Sequence, residues 1–285
     1  MLTIEEFNEG TSSVEKYMVT KENKKYLVRL YDRRFMSVRY AAFENMKLLH
    51  KNGVSVPKIY KYGELNDNTH GYAVVEWIEG KTLAKLLIDD EETLKYGKQA
   101  AHELLKMHDI EPTTEIDIYE KFLKSLNKKV QKVKSLNVEL DYDLINKFVS
   151  KYSEILKDKK TSIIHGDIHP GNMVIKDDKL FLIDLDVCTN NYAWIDLITN
   201  SCNMDYPKFY TVLIDEYFNK NIPDDFWIIY DLYGILYCLD YILYCNRIGN
   251  KTIDDGIKTF NKFLEDNFKE ETPQWFDKKI LRKER

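Results

Sequence analysis

The sequence predicts an α+β protein with its strands concentrated in the first 80 residues and helices over most of the remainder. Residues 3–31 alternate in a strand-like manner around a small polar loop, and residues 72–78 form an apolar run typical of a buried strand. Between them, residues 39–51 carry apolar side chains at helical spacing and end before Asn52-Gly53, a helix-terminating pair. From residue 93 onward helical spacing predominates, which favours a small sheet region followed by a larger helical region.

Length and charge limit the classes of protein to which the chain can belong. A chain of 285 residues fits one large domain or a two-lobed unit, with ample apolar content for a core. The formal net charge is -5, with basic and acidic residues interspersed, which argues against a general nucleic-acid binder. A mildly acidic balance suits a cationic small-molecule partner without requiring one.

The cysteines and the apolar segments indicate a cytoplasmic protein with no membrane partner. The four cysteines have no C-x-x-C spacing and lie in apolar contexts, as expected for reduced core residues. The N-terminus lacks the basic and apolar regions of a signal peptide. The most apolar late segment, residues 226–243, is interrupted by Asp231 and Asp240 and is expected to be too polar to span a membrane.

The first strands flank a loop that is a candidate phosphate contact. Residues 14–19 and 26–31 are predicted strands joined by a turn at 21–24. The preceding loop, residues 8–13, is small and polar and includes Ser12 and Ser13. Successive backbone N–H groups of such a loop can surround a phosphate. With a single glycine and no G-x-G-x-x-G pattern, the loop by itself favours an ordinary hairpin turn, and a phosphate contact depends on the motifs that follow later in the chain.

The most informative stretch runs from residue 163 to residue 196. An apolar strand ends at His165-Gly166-Asp167, and Pro170-Gly171 breaks the chain before Asn172. Two short apolar runs follow on either side of a turn at 176–179, and the second run ends on Asp184. The pattern predicts a polar loop, a tight hairpin and a second acidic turn.

The spacing of residues on either side of the hairpin turn predicts an oxygen-rich metal site. If the turn centres near Asp178, Asn172 and Asp184 lie opposite one another at the open end of the hairpin, and the preceding loop delivers Asp167 to the same end. Two carboxylates and an amide oxygen suit Mg²⁺, which binds few carboxylates together with substrate phosphates. Ordinary turn chemistry is one alternative. A transition-metal site at His165, Asp167 and His169 is another, although no nearby Cys or His completes it.

These residues carry a resemblance to kinases. The pattern His165-Gly166-Asp167-x4-Asn172, followed by a hairpin that ends in Asp184, resembles the H-x-D-x4-N and D-F-G pair of protein kinases. The H-G-D variant is more similar to the aminoglycoside phosphotransferase and choline kinase-like family. The resemblance implies a two-lobed protein-kinase-like fold, with a small antiparallel sheet lobe containing one helix and a larger helical lobe. In that family's roles Asp167 orients and deprotonates the acceptor hydroxyl, and Asn172 and Asp184 hold Mg²⁺.

The resemblance extends to the nucleotide-binding lobe. Arg29 occupies the position at which a protein kinase carries its strand-three Lys, and a guanidinium can also bridge phosphate oxygens and a helix carboxylate. Glu44 is the only acid in residues 39–51, so it is the expected helix partner of Arg29. The segment Glu76, Trp77 and Ile78 resembles the hinge, where main-chain groups hold adenine or guanine. The expected boundary lies near residue 80, with a nucleotide-binding lobe at 1–80 and a helical lobe at 81–285.

Several acids in the second half are candidates for supporting roles. Asp186 lies two residues beyond Asp184 and is either a metal or substrate contact or part of a hydrated loop. Asp196 matches a family Asp that braces the catalytic loop or caps a helix. Asp231 and Asp240 are nine residues apart on a predicted helix and therefore face opposite sides, so at most one can contact a cationic substrate.

Together these observations predict a Mg²⁺-dependent transfer of the γ-phosphate of ATP or GTP to a hydroxyl of a small molecule. An aminoglycoside-type antibiotic is the first expectation for the acceptor. Choline, homoserine and macrolides are alternative acceptors, because related scaffolds use them. A nucleotide-binding pseudokinase or regulatory module is the alternative from another class, motivated by Arg29 and by the glycine-poor loop.

Overall fold

The computed structural model describes residues 2–7, 14–66, 69–87, 89–199, 201, 205–247, 251–268 and 272–284. By its contacts the chain divides into two compact units, Met1–Leu86 with Pro170–Thr189, and Leu87–His169 with Asn190–Arg285. A single boundary near residue 80 was predicted. The segment Pro170–Thr189 groups with the first unit, and its hairpin pairs with a strand just beyond residue 80. The boundary near residue 80 stays a prediction.

The first unit contains the predicted antiparallel sheet of five strands. In spatial order these are β1 (Leu2–Glu6), β2 (Glu15–Lys21), β3 (Lys24–Asp32), β5 (His70–Glu76) and β4 (Ile59–Glu64). Strands β2 and β3 pair from Lys21↔Lys24 to Glu15↔Leu30, which leaves Glu22 and Asn23 as a two-residue turn. Both turn residues have positive φ, 52° and 62°, as tight hairpin turns require.

One α-helix and a second, three-stranded sheet complete this unit. Helix α1 spans Met36–Lys51, so the helix predicted at 39–51 is confirmed. The second sheet has the order β6 (Lys81–Thr82), β8 (Met173–Lys176) and β9 (Lys179–Leu182). Strands β8 and β9 form the predicted hairpin.

The second unit is mainly helical. Its helices are α2 (Asp90–His108), α3 (Ile118–Lys134), α4 (Tyr142–Tyr152), α5 (Pro207–Tyr217), α6 (Phe226–Arg247) and α7 (Ile253–Asp266). Strand β7 (Thr161–Ile164) pairs with β10 (Thr189–Tyr192). Asp89, Asp117 and Asp141 each accept the amide three residues further on at 2.9 Å, so α2, α3 and α4 begin at acidic N-caps.

Helix α6 is the most apolar of the described α-helices. By length and composition it could cross a membrane, with a mean hydropathy of 1.4 over its most apolar 18 residues, so the expectation that it is too polar is wrong. Of that window, 72% is buried inside the protein, and Asp231 on this helix is itself buried. The helix is therefore packed as a core helix. Cys238 and Cys245 on this helix and Cys188 are buried and form no disulfide, as predicted, whereas Cys202 lies outside the described residues.

Candidate active site

A cavity of about 780 Å³ lies within the first unit. Its volume falls in the range that holds small molecules and nucleotide-sized ligands. The lining comes from strands β2, β3 and β5, from the segment that follows β5, and from the β8–β9 hairpin: Lys16, Leu27, Arg29, Val75, Glu76, Trp77, Ile78, Asn172, Val174, Ile183, Asp184 and Asp186. Apolar and polar groups are thus both available to a ligand.

The end of β5 and the segment that follows it form one wall of this cavity and include the predicted hinge residues Glu76, Trp77 and Ile78. The Glu76 amide donates to the Lys58 carbonyl at 2.8 Å, and the Trp77 amide donates to the Lys25 carbonyl at 3.4 Å. The Trp77 ring meets the edge of the Phe7 ring at 5.1 Å between centroids. Two hinge amides are therefore already engaged within the sheet, and the Trp77 side chain packs against an aromatic neighbour.

Arg29 is at the centre of an ion-pair cluster. Its Nη1 lies 2.7 Å from Asp184 Oδ1 and 2.6 Å from Asp186 Oδ1, and its side chain is 8% exposed. Tyr31, on the same face of β3, donates its hydroxyl to Asp186 Oδ1 at 3.0 Å. Burial opposes the charged form of Arg29, but the carboxylates of Asp186 and Asp184 outweigh it and raise the Arg29 pKa. The cluster holds both acids at the edge of the cavity.

The predicted pairing of Arg29 with Glu44 is wrong. The Glu44 carboxylate accepts hydrogen bonds from Tyr62 and Lys47 and is 57% exposed. Helical phase explains the difference, because Glu44 lies about 200° around the helix from Ala42, which faces the core. Arg39 lies on the core-facing side instead and donates from Nη1 to the Asp186 carbonyl. The helix thus supports the acidic turn through a cation.

The Arg29 ion pairs should contribute measurably to folding. Replacing Arg29 with methionine leaves Asp184 and Asp186, 33% and 16% exposed, without their shared cation. We expect the free energy of unfolding to fall by about 2–4 kcal/mol in urea denaturation. The matched control is Lys25→Met on the same strand, where the Glu79 pair is exposed and a loss below about 1 kcal/mol is expected. Equal losses in both variants would contradict a structural role for the cluster.

The β8–β9 hairpin places Asn172 and Asp184 at one end, one residue away from the predicted register. Met173 pairs with Leu182, and the Ile183 amide donates to the Asn172 carbonyl at 2.9 Å, so Asn172 faces Ile183 and not Asp184. The turn centres between Asp177 and Asp178, both at positive φ, which shifts the pairing. Asp184 follows in the left-handed region, at φ 61° and ψ 50°, where aspartate is tolerated.

The donors at this end fit a magnesium ion that is completed by phosphate. Asn172 and Asp184 line the same cavity and offer an amide and a carboxylate oxygen. Among the described residues, no group of three or more His, Cys, Asp and Glu side chains is arranged to hold a metal. A divalent ion held here would therefore need further oxygen ligands, which a bound nucleotide's phosphates can provide.

In the second unit, the loop after β7 is fixed by its backbone. Asp196, fully buried, accepts the His165 amide at Oδ2 and the Gly166 amide at Oδ1, both at 2.8 Å. Gly166 has φ +83°, a conformation that disfavours residues with a side chain. The Ile168 carbonyl accepts the Tyr210 hydroxyl at 2.9 Å. These contacts fix the backbone on both sides of Asp167.

The Asp167 side chain itself is accessible. It is 57% exposed, and His169 Nε2 lies 3.8 Å from its Oδ2. His108 bridges Asp196 Oδ2 at 3.0 Å and the Tyr217 hydroxyl at 2.8 Å. Asp167 therefore combines a fixed backbone with an accessible carboxylate. Its predicted convergence with Asn172 and Asp184, which belong to the first unit, stays a prediction.

Asp231 and Asp240 occupy different environments on α6. Asp231 is 5% exposed and accepts the Phe268 amide at 3.2 Å, whereas Asp240 is half-exposed and pairs with Lys129. Burial raises the pKa of Asp231 to about 7, although the Phe268 hydrogen bond opposes the shift. Asp231 therefore lies in the protein core and not in solvent, and a substrate role for either residue stays a prediction.

The raised pKa of Asp231 predicts a pH-dependent stability. Between about pH 4 and pH 7 the folded protein holds a proton on Asp231 that the unfolded chain has lost, so this group's contribution falls as pH rises. Asp231→Asn should match the parent near pH 4 and exceed its free energy of unfolding by about 2–4 kcal/mol above pH 7. Denaturation across pH checks this, with Asp240→Asn as the half-exposed control. A gain that is independent of pH would contradict the expectation.

Two of the predicted contact residues lie outside the described residues, and two residues at the site were not predicted from the sequence. Ser12 and Ser13 lie outside the described residues. Lys16 and Tyr31 line or support the site and were not predicted. The sequence did indicate where Lys16 faces, because strand periodicity places it on the same face as Val14 and Met18.

Comparison with known proteins places the fold and the family. The model of the phosphotransferase enzyme family matches residues 3–220. No curated protein matches the sequence. Among solved structures, APH(2")-IIia with GDP and kanamycin is 17% identical, with 93% of this chain and 94% of that chain covered and a TM-score of 0.68.

Two further structures show the same fold. The streptomycin–ATP complex of APH(2")-IIa is 16% identical, with 96% of this chain and 93% of that chain covered and a TM-score of 0.65. The amicoumacin kinase hAmiN, in complex with AMP-PNP, Ca²⁺ and Ami, is 12% identical, with 92% and 87% covered and a TM-score of 0.65. The predicted protein-kinase-like α+β fold is therefore confirmed.

Proposed function

Because the chain belongs to the phosphotransferase enzyme family and is a small-molecule kinase, we propose that it transfers the γ-phosphate of ATP or GTP to a hydroxyl of an aminoglycoside-type antibiotic. Nucleotide binding is supported mainly by the cavity of about 780 Å³, which is lined by the hinge segment and by Arg29, Asn172 and Asp184. Related folds in complexes with GDP or with ATP support either nucleotide.

The hinge is proposed to hold the base through its main chain. Since the amides of Glu76 and Trp77 already donate to Lys58 and Lys25, the main chain of Ile78 is the proposed contact. Main-chain groups can recognise either adenine or guanine, so the preference for ATP or GTP is determined by the assay with both nucleotides. The apolar side chains of Leu27 and Val75 would pack against the faces of the base.

Asp167 is proposed to act on the acceptor hydroxyl. Its carboxylate would accept the hydroxyl proton as the oxygen forms its bond to the γ-phosphorus, and the bond from that phosphorus to the β–γ bridging oxygen would break to release ADP or GDP. The backbone contacts to Asp196 would hold the loop in place without a change during the reaction. Asn172 and Asp184 are the proposed holders of Mg²⁺, which when bound neutralises phosphate charge.

The acceptor class is proposed from charge and from relatives. The net charge of -5 suits a polyamine such as an aminoglycoside. Structural relatives hold kanamycin and streptomycin, whereas hAmiN holds amicoumacin, so the fold accommodates several acceptors. Cys188, Cys238 and Cys245 are buried and form no disulfide, which supports a cytoplasmic location. An antibiotic acceptor would make the protein a resistance enzyme.

A coupled assay of ADP or GDP release with Mg²⁺ tests the proposal. The panel contains aminoglycosides, amicoumacin, macrolides, choline and homoserine, each tested with both nucleotides. We expect stimulation of nucleotide turnover by an aminoglycoside. Stimulation by another acceptor alone would replace the acceptor class, and the absence of nucleotide binding would contradict the proposal as a whole.

A further inference from the structure

Tyr31 is a buried tyrosine that links the acidic turn at 184–187 to helix α1. It lies on β3 and is 2% exposed. Its hydroxyl donates to Asp186 Oδ1 at 3.0 Å, and its ring meets the Phe43 ring of α1 at 5.8 Å between centroids. The guanidinium of Arg39, also on α1, lies 5.3 Å from the centroid of the Tyr31 ring. One side chain therefore contacts the acidic turn through its hydroxyl and α1 through its ring.

Asp186 is held by donors from both β3 and α1. Its Oδ1 accepts the Tyr31 hydroxyl and lies 2.6 Å from Arg29 Nη1. Its backbone carbonyl accepts a hydrogen bond from Arg39 Nη1. The Asp186 side chain is 16% exposed, compared with 33% for Asp184, which contacts the same atom of Arg29. Asp186 is thus the more enclosed of the two acids and is fixed at its side chain and at its backbone.

The position of Asp184 depends on that of Asp186. Only Leu185 separates them, and this residue is 1% exposed, so the turn is anchored in the core at its centre. The Cys188 amide donates to the Leu185 carbonyl at 3.0 Å and closes the turn. Both carboxylates also meet at Arg29 Nη1, within 2.7 Å. In so short a closed turn, a shift of the Asp186 carboxylate displaces that of Asp184.

From these contacts we propose that Tyr31 is a positioning residue for the divalent metal ion that accompanies the nucleotide. Its hydroxyl holds Asp186, and Asp186 together with Arg29 holds the Asp184 carboxylate at the cavity. Among the described residues, Asp184 and Asp186 line the cavity and Tyr31 does not, so Tyr31 acts through Asp186. Partners of this kind, which orient a metal ligand without touching the metal, strongly affect metal affinity. The inference rests on the proposed function, because it assigns a role within the same nucleotide site.

Metal binding by Tyr31→Phe tests the inference without reference to turnover. The variant removes the hydroxyl and keeps the ring that packs against α1. Binding of Mn²⁺, a paramagnetic substitute for Mg²⁺, is followed by EPR in an equimolar complex of the protein with a non-hydrolysable ATP or GTP analogue. We expect the apparent Kd for Mn²⁺ to rise about 10-fold, the lower end of the range for groups that orient metal ligands. Nucleotide binding without a divalent ion should match that of the parent, because Tyr31 does not line the cavity.

Steady-state kinetics provide a second measurement that a packing role would not move in the same way. In Tyr31→Phe the Mg²⁺ concentration that gives the half-maximal rate should rise in step with the Kd for Mn²⁺. At saturating Mg²⁺, kcat and the KM for nucleotide should return to the parental values. Tyr26→Phe is the matched control: it makes the same change on the opposite face of β3, where Tyr26 packs against Tyr60 at 5.2 Å, and it should leave the metal dependence unchanged.

A double-mutant cycle with Asp186→Ala tests the path through Asp186. If the hydroxyl acts through this carboxylate, adding Tyr31→Phe to Asp186→Ala should weaken Mn²⁺ binding no further. Additive effects would overturn the inference, and so would parental affinity for Mn²⁺ in Tyr31→Phe. Equal weakening of nucleotide binding with and without the metal would also overturn it, because that result indicates a packing role.

These outcomes are distinct from failure of the proposed function. Each of them leaves a protein that binds nucleotide and transfers phosphate, whereas a parent protein that binds no nucleotide would contradict the function and this inference with it. If Asp186→Ala does not fold, the comparison of Tyr31→Phe with Tyr26→Phe still decides, because both variants lose a single hydroxyl and keep their rings.

Discussion

Replacing Asp167 with asparagine is expected to slow phosphoryl transfer by about 10²- to 10⁴-fold, the usual contribution of a general base. Nucleotide binding should stay within about twofold of the parent, because the cavity is lined by other residues. Folding should also be unaffected, since the side chain is 57% exposed and the loop is held by backbone contacts. Initial rates at saturating nucleotide, together with calorimetric titration, measure both quantities.

The control for this variant is Asp177→Asn. Asp177 lies in the turn of the β8–β9 hairpin at φ 49°, a conformation that asparagine also tolerates. This variant should transfer phosphate at the parental rate. If Asp167→Asn retained full activity with an acceptor that the parent phosphorylates, the assignment of Asp167 as the base would be wrong.

Replacing Asp196 with alanine should have the largest effect on stability. The substitution leaves the amides of His165 and Gly166, and the Nε2 atom of His108, without their shared acceptor inside the protein. We expect a loss of about 3–5 kcal/mol in the free energy of unfolding. Asp196→Asn should be nearly as damaging, because an amide offers one accepting oxygen where the carboxylate uses two. Chemical denaturation measures the loss.

Activity distinguishes a positioning role of Asp196 from general destabilisation. At a temperature where Asp196→Asn is still folded, kcat should fall more than the KM for nucleotide rises, since the loop carries Asp167 and the cavity lies in the first unit. Asp109→Ala, at the exposed end of α2, should change stability by less than about 0.5 kcal/mol. A parental kcat in folded Asp196→Asn would contradict the positioning role.

Local patterns in the sequence predicted the elements well. The β2–β3 turn, helix α1 and the β8–β9 hairpin each follow from short-range spacing and turn residues, and all three are present. The errors concern the register of a hairpin, which a shift of one residue changes, and the face of a helix on which a side chain lies. The hairpin register shifted because its turn centres between two aspartates. The partner of Arg29 was wrong because Glu44 lies on the outer face of α1.

Other features of the site depend on contacts that are distant in sequence. Arg29 meets Asp184 and Asp186 across more than 150 residues of chain, and no local pattern identifies such a pairing. The burial of Asp231 likewise depends on the packing of α6 and on the Phe268 amide, which follows α7. Lys16 was predictable in part, since strand alternation places it with apolar neighbours. Its position opposite Arg29 required the strand register.

The measurement that tests the central claim most directly is the identification of a phosphorylated acceptor. Parent protein and Asp167→Asn are incubated with ATP or GTP, Mg²⁺ and each aminoglycoside, and the acceptor is analysed by mass spectrometry and phosphorus NMR. The account predicts that the parent adds one phosphoryl group to an acceptor hydroxyl and that Asp167→Asn does so far more slowly. Nucleotide binding without a phosphorylated acceptor from the whole panel would contradict the claim that this chain phosphorylates such antibiotics.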